Sequence, residues 1–261
     1  MPQLATRSVG RGSDRALLLH CSLSHGGAWG PIASHLLDTL TMQTPDFPGH
    51  GRSAGWDGEG DYHHLSTHAA LDLIDGPLHL IGHSFGATVA LRIAAMRPDL
   101  VRSLTLIDTV FFAVAIQDKG AGLTRFDAVH SPINAALEAG RSEDAARLFM
   151  AEWGDGRPWE ALPEAQKAYA SERIHLIPAA EKMLVGDSAG LLRPGALEPL
   201  TMPVLLLQGA DSPPIIRDIH QGLARRIPQA ERVEIASARH MVPVTHPKPT
   251  AMALTEFLSR V

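Results

Sequence analysis

Between Leu78 and Arg97 the chain reads LHLIGHSFGATVALRIAAMR, and its hydrophobic period changes once, at the glycines. The apolar run Leu78-His79-Leu80-Ile81 is too short for a helix and is flanked by Pro77 and Gly82, which predicts a buried strand. Beyond Gly82-His83-Ser84-Phe85-Gly86, the positions Val89, Ala90, Ile93, Ala94 and Ala95 fall at helical spacing, and Pro98 stops the helix. Ser84 is therefore expected at the apex of a strand-to-helix turn. Gly82 and Gly86 lack a Cβ, so strand and helix can approach closely while the turn holds the serine in a strained conformation with its hydroxyl exposed. The start of the helix also directs free N–H groups at this spot, where an oxyanion could form.

The remainder alternates strand and helix, as right-handed crossovers between parallel strands demand. Residues Leu4 to Arg15 are polar and Gly-rich and fit a first hairpin or an irregular lead-in. Strands are predicted over Ala16–His20, Thr41–Thr44, Val101–Ile107, Pro203–Gln208 and Arg232–Ile235, with helices over Pro31–Leu40, Tyr62–Ile74, Ile215–Ile227 and Thr250–Val261. From Phe111 to Leu200 the β-branched runs give way to short helical patterns at Ser131–Ala139, Ser142–Trp153, Pro163–Leu176 and Ala179–Leu184, separated by breakers such as Gly154 and Pro178. The domain reading is core over 1–110, a helical cap over 111–200 and core again over 201–261. Phe111, Phe112, Phe126, Phe149, Met150, Trp153, Trp159 and Met183 supply the cap with large apolar side chains. About one in three of these is expected to face a pocket, since pockets use few of a domain's apolar residues.

Composition narrows the class. With 261 residues the chain can bury a sizeable core, and a net charge of -5 gives no electrostatic footprint for nucleic acid. No run approaches the ~18 apolar residues of a membrane span, and Met1–Gly10 lacks the basic start and apolar stretch of a signal peptide. The single cysteine, Cys21, excludes an internal disulfide and agrees with a reducing compartment, so a cytoplasmic protein is expected. His63, His64 and His68 cluster without the spacing of a zinc site, and surface histidines are the expectation there. Oligomeric state leaves no trace in the sequence.

The pentapeptide Gly82-His83-Ser84-Phe85-Gly86 is G-x-S-x-G in strand-turn-helix context and resembles the nucleophile elbow of the α/β-hydrolase family. Two further segments are similar to that family in order and spacing. Asp46-Phe47-Pro48-Gly49-His50-Gly51-Arg52-Ser53 matches the D-x-P-G-x-G-x-S loop, and Ala238-Arg239-His240-Met241-Val242-Pro243 matches the G-x-G-H-M-x-P segment with arginine for its second glycine. The resemblance implies a mostly parallel central sheet with helices on both faces and a cap inserted between core strands. It also implies Ser84 as nucleophile, His240 as base, and an oxyanion hole from the N–H groups of Ser22 and Phe85. The family's His-Gly after the corresponding early strand reads His20-Cys21 here, which puts a side chain where backbone freedom was available. Cys21 is also a candidate reactive thiol, although free cysteines are usually buried apolar residues.

A serine hydroxyl needs a base within hydrogen-bond reach, and histidine held by a carboxylate suits that task near neutral pH. Two aspartates compete to hold it. Most relatives place the acid three residues past a glycine after the penultimate strand, but Gly209 plus three is Ser212 and the aspartate falls one early, at Asp211. A minority place it after the strand following the nucleophile helix, where Asp108 stands. Asp108 is favoured, because it ends an apolar strand beside the nucleophile strand while a one-residue shift in a tight loop redirects a side chain. The expected activity is hydrolysis of an ester, lactone or related acyl bond of a small molecule, with no metal or organic cofactor required. Carbon–carbon bond hydrolysis and thioester hydrolysis on the same residues are alternatives, and a catalytically silent small-ligand receptor is the rival from another class.

Overall fold

A computed structural model describes residues 2–261. Seven strands form one sheet in the order β1-β3-β2-β4-β5-β6-β7. They are β1 (Thr6–Val9), β2 (Asp14–Leu19), β3 (Leu40–Pro45), β4 (Leu78–His83), β5 (Val101–Ile107), β6 (Val204–Gly209) and β7 (Ala230–Ile235). β1 runs antiparallel to β3, and every other neighbouring pair is parallel. The lead-in is thus no hairpin with β2: the polar stretch carries the chain across to the outer side of β3.

Alternation along the buried strands feeds two cores. Leu17, Leu19, Leu80, Leu104, Leu106 and Leu206 face one layer, packed by α2 (Tyr62–Leu71), α3 (Phe85–Met96) and α10 (Pro214–Arg226). Leu18, Ile81, Ile107, Leu205 and Leu207 face the other, packed by α1 (Gly30–Ala33), α11 (Val242–Thr245) and α12 (Pro247–Leu258). The expected helix over Pro31–Leu40 ends much sooner. Leu36 and Leu40 are fully buried, and the chain unwinds through turns so that Leu40 can open β3.

Between β5 and β6 lie α4 (Phe112–Gln117), α5 (Leu123–Glu138), α6 (Ser142–Trp153), α7 (Glu164–Arg173), α8 (Leu176–Ala179) and α9 (Glu181–Leu184). α6 matches its predicted bounds. α5 begins eight residues before the expected start (131 minus 123), because Pro132 lies inside the helix and does not open it. His130 Nδ1 and Ser131 Oγ bond back to the carbonyls of Phe126 and Asp127, one turn before the proline. α5, α6 and α7 share a small core of their own around Ile133, Ala145 and Ile174, whereas Phe112, Met183 and Leu184 join the main core.

The sheet and α3 meet through two glycines. A Cβ on Gly82 would lie 2.3 Å from the Gly86 carbonyl oxygen, and one on Gly86 would lie 2.2 Å from that of Leu19. Gly86→Ala should therefore push α3 off β2 and lower the melting temperature clearly, in keeping with the roughly 1–3 kcal/mol cost of overpacking. Gly30→Ala, where nothing lies within 4 Å, should leave the melting temperature unchanged or raise it. Equal melting curves for the two variants would contradict this account of the elbow.

Candidate active site

Ser84 follows β4 directly and caps α3 with φ 55° and ψ −117°, a region L residues avoid. Its N–H donates to the Ile107 carbonyl at 2.9 Å, which ties the elbow to the end of β5. Asp108, the next residue of that neighbouring strand, also has positive φ, at 44°. Its carboxylate is fully buried and accepts three hydrogen bonds: Gly209 N–H at 2.9 Å, Ser212 O–H at 2.6 Å and His240 Nδ1–H at 3.1 Å. These partners supply what water would have given a buried charge.

His240 arrives from the loop after β7. With Nδ1 donating to Asp108, Nε2 is left to accept from the Ser84 hydroxyl at 3.0 Å. The three side chains come from the C-terminal ends of β4, β5 and the segment after β7, where a parallel sheet gathers its loops. Asp211 is exposed and bonds neither residue; its N–H is spent on the Ala238 carbonyl. Ser212 instead donates to Asp108 from behind. His246, the other histidine of this region, makes a local bond to Thr245.

Ser22 stands beside Ser84 in the wall of both hollows that open at the serine, and Phe85 is the first residue of α3. Neither N–H donates to a protein acceptor among the described residues. The left-handed residue of the loop after β2 is Leu23, at φ 55°, so Cys21 is accommodated without it. The Cys21 side chain is buried against Met241, and burial pushes its thiol up to about 12, which removes it as a nucleophile near neutral pH.

The chain matches a model of the alpha/beta hydrolase family across residues 16–253. The protein belongs to the α/β-hydrolase family. It is 31% identical to a pimeloyl-(acyl-carrier protein) methyl ester esterase of Methylococcus capsulatus over 98% of each chain. A 2-(acetamidomethylene)succinate hydrolase of Mesorhizobium japonicum is 28% identical over 93% of this chain and 87% of that one. An alpha/beta hydrolase structure from Sphaerobacter thermophilus superposes with a TM-score of 0.72 at 25% identity, covering 98% of this chain and 96% of that one.

Several groups that hold this α/β-hydrolase site together were not legible as such. His83, inside the elbow, donates Nε2–H to the His240 carbonyl at 2.9 Å, with the two rings 5.1 Å apart. Burial and the neighbouring His240 lower His83 to about 3, so it stays neutral. Trp153 on α6 meets the His240 ring nearly edge to face, at 4.8 Å. His50 accepts the Leu23 N–H at 3.1 Å, and His20 accepts the Phe47 N–H at 3.0 Å, so two buried neutral histidines brace the loops after β2 and β3. The only signal for them was the position of histidines inside turn motifs. Five of the eight large apolar residues singled out between β5 and β6 line the two hollows: Phe112, Phe126, Phe149, Met150 and Trp153. That exceeds the expected third, because α5 and α6 lie over the serine. His63 is not a surface residue as expected; it is fully buried and bonds Thr88 at 3.0 Å, and no group of three potential metal ligands occurs among the described residues.

Burial lowers four of these histidines, His20 well below its usual value, His50 to about 4 and His63 and His83 to about 3, and likewise lowers to about 3 the fully buried His220 of α10, which accepts the Thr109 N–H. The unfolded chain protonates them near pH 6.5. Between there and about pH 4 it binds protons that the folded chain refuses, so stability falls as pH falls, by up to about 1.4 kcal/mol per histidine per pH unit. The melting temperature should hold from pH 8 to 7 and drop steeply from pH 6.5 to 4. A flat profile to pH 4 would contradict the neutral buried histidines.

Proposed function

We propose that the protein is a serine esterase that cleaves carboxylic esters of small molecules through an acyl-enzyme. The observation that carries the reading is the unbroken hydrogen-bonded row from Ser84 Oγ through the His240 ring to the buried Asp108 carboxylate. As Ser84 Oγ bonds to the substrate carbonyl carbon, its proton passes to His240 Nε2, and Asp108 stabilises the resulting imidazolium. The negative oxygen is received by the N–H groups of Ser22 and Phe85, and such a donor is worth about 10²–10³ in rate. The bond to the leaving oxygen then breaks as His240 returns its proton to that oxygen. Water repeats the sequence on the acyl-enzyme: its oxygen bonds to the carbonyl carbon, Oγ leaves, and the proton returns to Ser84 by way of His240.

Two relatives matched over nearly their whole length support hydrolysis, one named as a methyl ester esterase and the other as a 2-(acetamidomethylene)succinate hydrolase. A silent receptor would need none of this proton-transfer register. In the same reading the helices of residues 111–200 act as the cap that encloses the substrate.

The acid assignment separates cleanly by mutation. With an activated aryl ester, Asp108→Asn should lower kcat by about 10³–10⁴ by loss of the correct imidazole tautomer, while Asp211→Asn, at an exposed side chain, should stay within about twofold of wild type. Circular dichroism establishes that both variants fold. The reverse ordering of the two activities would overturn the assignment.

A further inference from the structure

Two hollows of very different size meet at Ser84, and Ser22, Phe149 and Trp153 form walls of both. The larger has a volume of about 470 Å³, and His240, Met241, Val244, Tyr169, Gln166 and Arg157 are among its walls. The smaller, of about 50 Å³, lies among Phe112, Phe126, His130, Leu184 and Val185, with the exposed Glu181 also in its wall, and His240 is not part of that wall. Trp153 stands at the junction, against the His240 ring.

Proton transfer decides which part of an ester goes where. The leaving oxygen must lie beside His240 Nε2 to receive its proton, so the alcohol portion extends into the hollow that His240 walls. The acyl portion is directed the other way, into the slot without His240. A single water needs about 10–15 Å³ of such space, so the slot takes roughly four non-hydrogen atoms, the length of a propanoyl to butanoyl chain. Its aromatic walls are tightly packed, with Phe112 and Phe126 ring centres 4.3 Å apart and Phe126 and His130 3.9 Å apart, so they resist widening. The large hollow has polar residues in its wall, but its charges are matched: Arg157 is held by Asp155 at 2.6 Å and also donates to Gln166. It suits a bulky, uncharged, hydrogen-bonding alcohol, at a volume within the range of small-molecule sites.

Resting on the esterase reading above, we infer that the substrate is an ester of a short acyl chain, of about four carbons or fewer, with a bulky uncharged alcohol.

Kinetics of the purified full chain test this with two substrate series. In 4-nitrophenyl acetate, butanoate, hexanoate and octanoate the leaving group is constant, and kcat/KM should fall about tenfold or more from butanoate to octanoate, the scale of rejecting methylenes from a hydrophobic pocket too short for them. In phenyl and 1-naphthyl butanoate the acyl group is constant, and the larger alcohol should be cleaved at least as well. Leu184→Ala should raise the octanoate-to-butanoate ratio; Val185→Ala, at a residue 38% exposed, should do the same with little risk to folding. Ala165→Trp, in the wall of the large hollow only, should penalise the naphthyl ester more than the phenyl ester. Ser84-dependent turnover that rises with acyl length, or that favours methyl esters of long acids, overturns the assignment of the two hollows and leaves the esterase reading intact. Failure to cleave any member of either series by a folded protein overturns the esterase reading and this inference together.

Discussion

The site depends on a serine held where the backbone of an L residue does not rest. At φ 55° Ser84 carries strain of order 1–3 kcal/mol, and such strain persists only where the surroundings over-determine it. Here the over-determination is visible on every side. The Ser84 N–H is fixed to the end of β5, Gly82 and Gly86 let α3 sit against β2 and β4 with no room for a Cβ, and β4 and α3 are almost wholly buried. A hydroxyl raised on that bend has little freedom to turn away from the imidazole beside it.

From this fixed point the other groups follow by adjacency in the sheet. β5 is the parallel neighbour of β4, so Asp108, the residue that follows it, emerges one strand away from Ser84. β6 is the next neighbour, and its end supplies Gly209 and Ser212 to hold the Asp108 carboxylate. The loop after β7 brings His240 over all of them, and His83 holds its carbonyl from beneath. The imidazole is thus fixed at its ring by Asp108 and Ser84 and at its backbone by His83. In the proposed mechanism, that placement leaves little reorganisation for proton transfer to require.

Much of this was legible because local chemistry and global fold agree. The strand-turn-helix at Ser84 could be read from the change of hydrophobic period and its two glycines, and His240 from its place before the last helix. The choice of Asp108 over Asp211 rested on reach; in the structure Asp108 lies 3.1 Å from His240 Nδ1, and the residue three past Gly209 is a serine that donates to Asp108. What the sequence hid was mainly long-range. His83 and His240 lie 157 residues apart, and nothing in the elbow signals a bond to a distant carbonyl. The facing of the aromatic residues between β5 and β6 depends on how α5 and α6 cross the sheet, which short amphipathic patterns do not encode. Helix ends went astray where a helix ran on through a proline, as α5 does at Pro132, or where a buried leucine, Leu40, was claimed by the next strand.

The central claim is that the Ser84 hydroxyl is made nucleophilic by the His240 imidazole. Its most direct test is the rate of covalent labelling by a fluorophosphonate, followed by intact mass and by mapping the modified peptide, in wild type and in His240→Ala. The account predicts a single adduct on Ser84 in wild type, forming orders of magnitude more slowly in a folded His240→Ala protein. An adduct on another residue, or equal labelling rates in the two proteins, would contradict it.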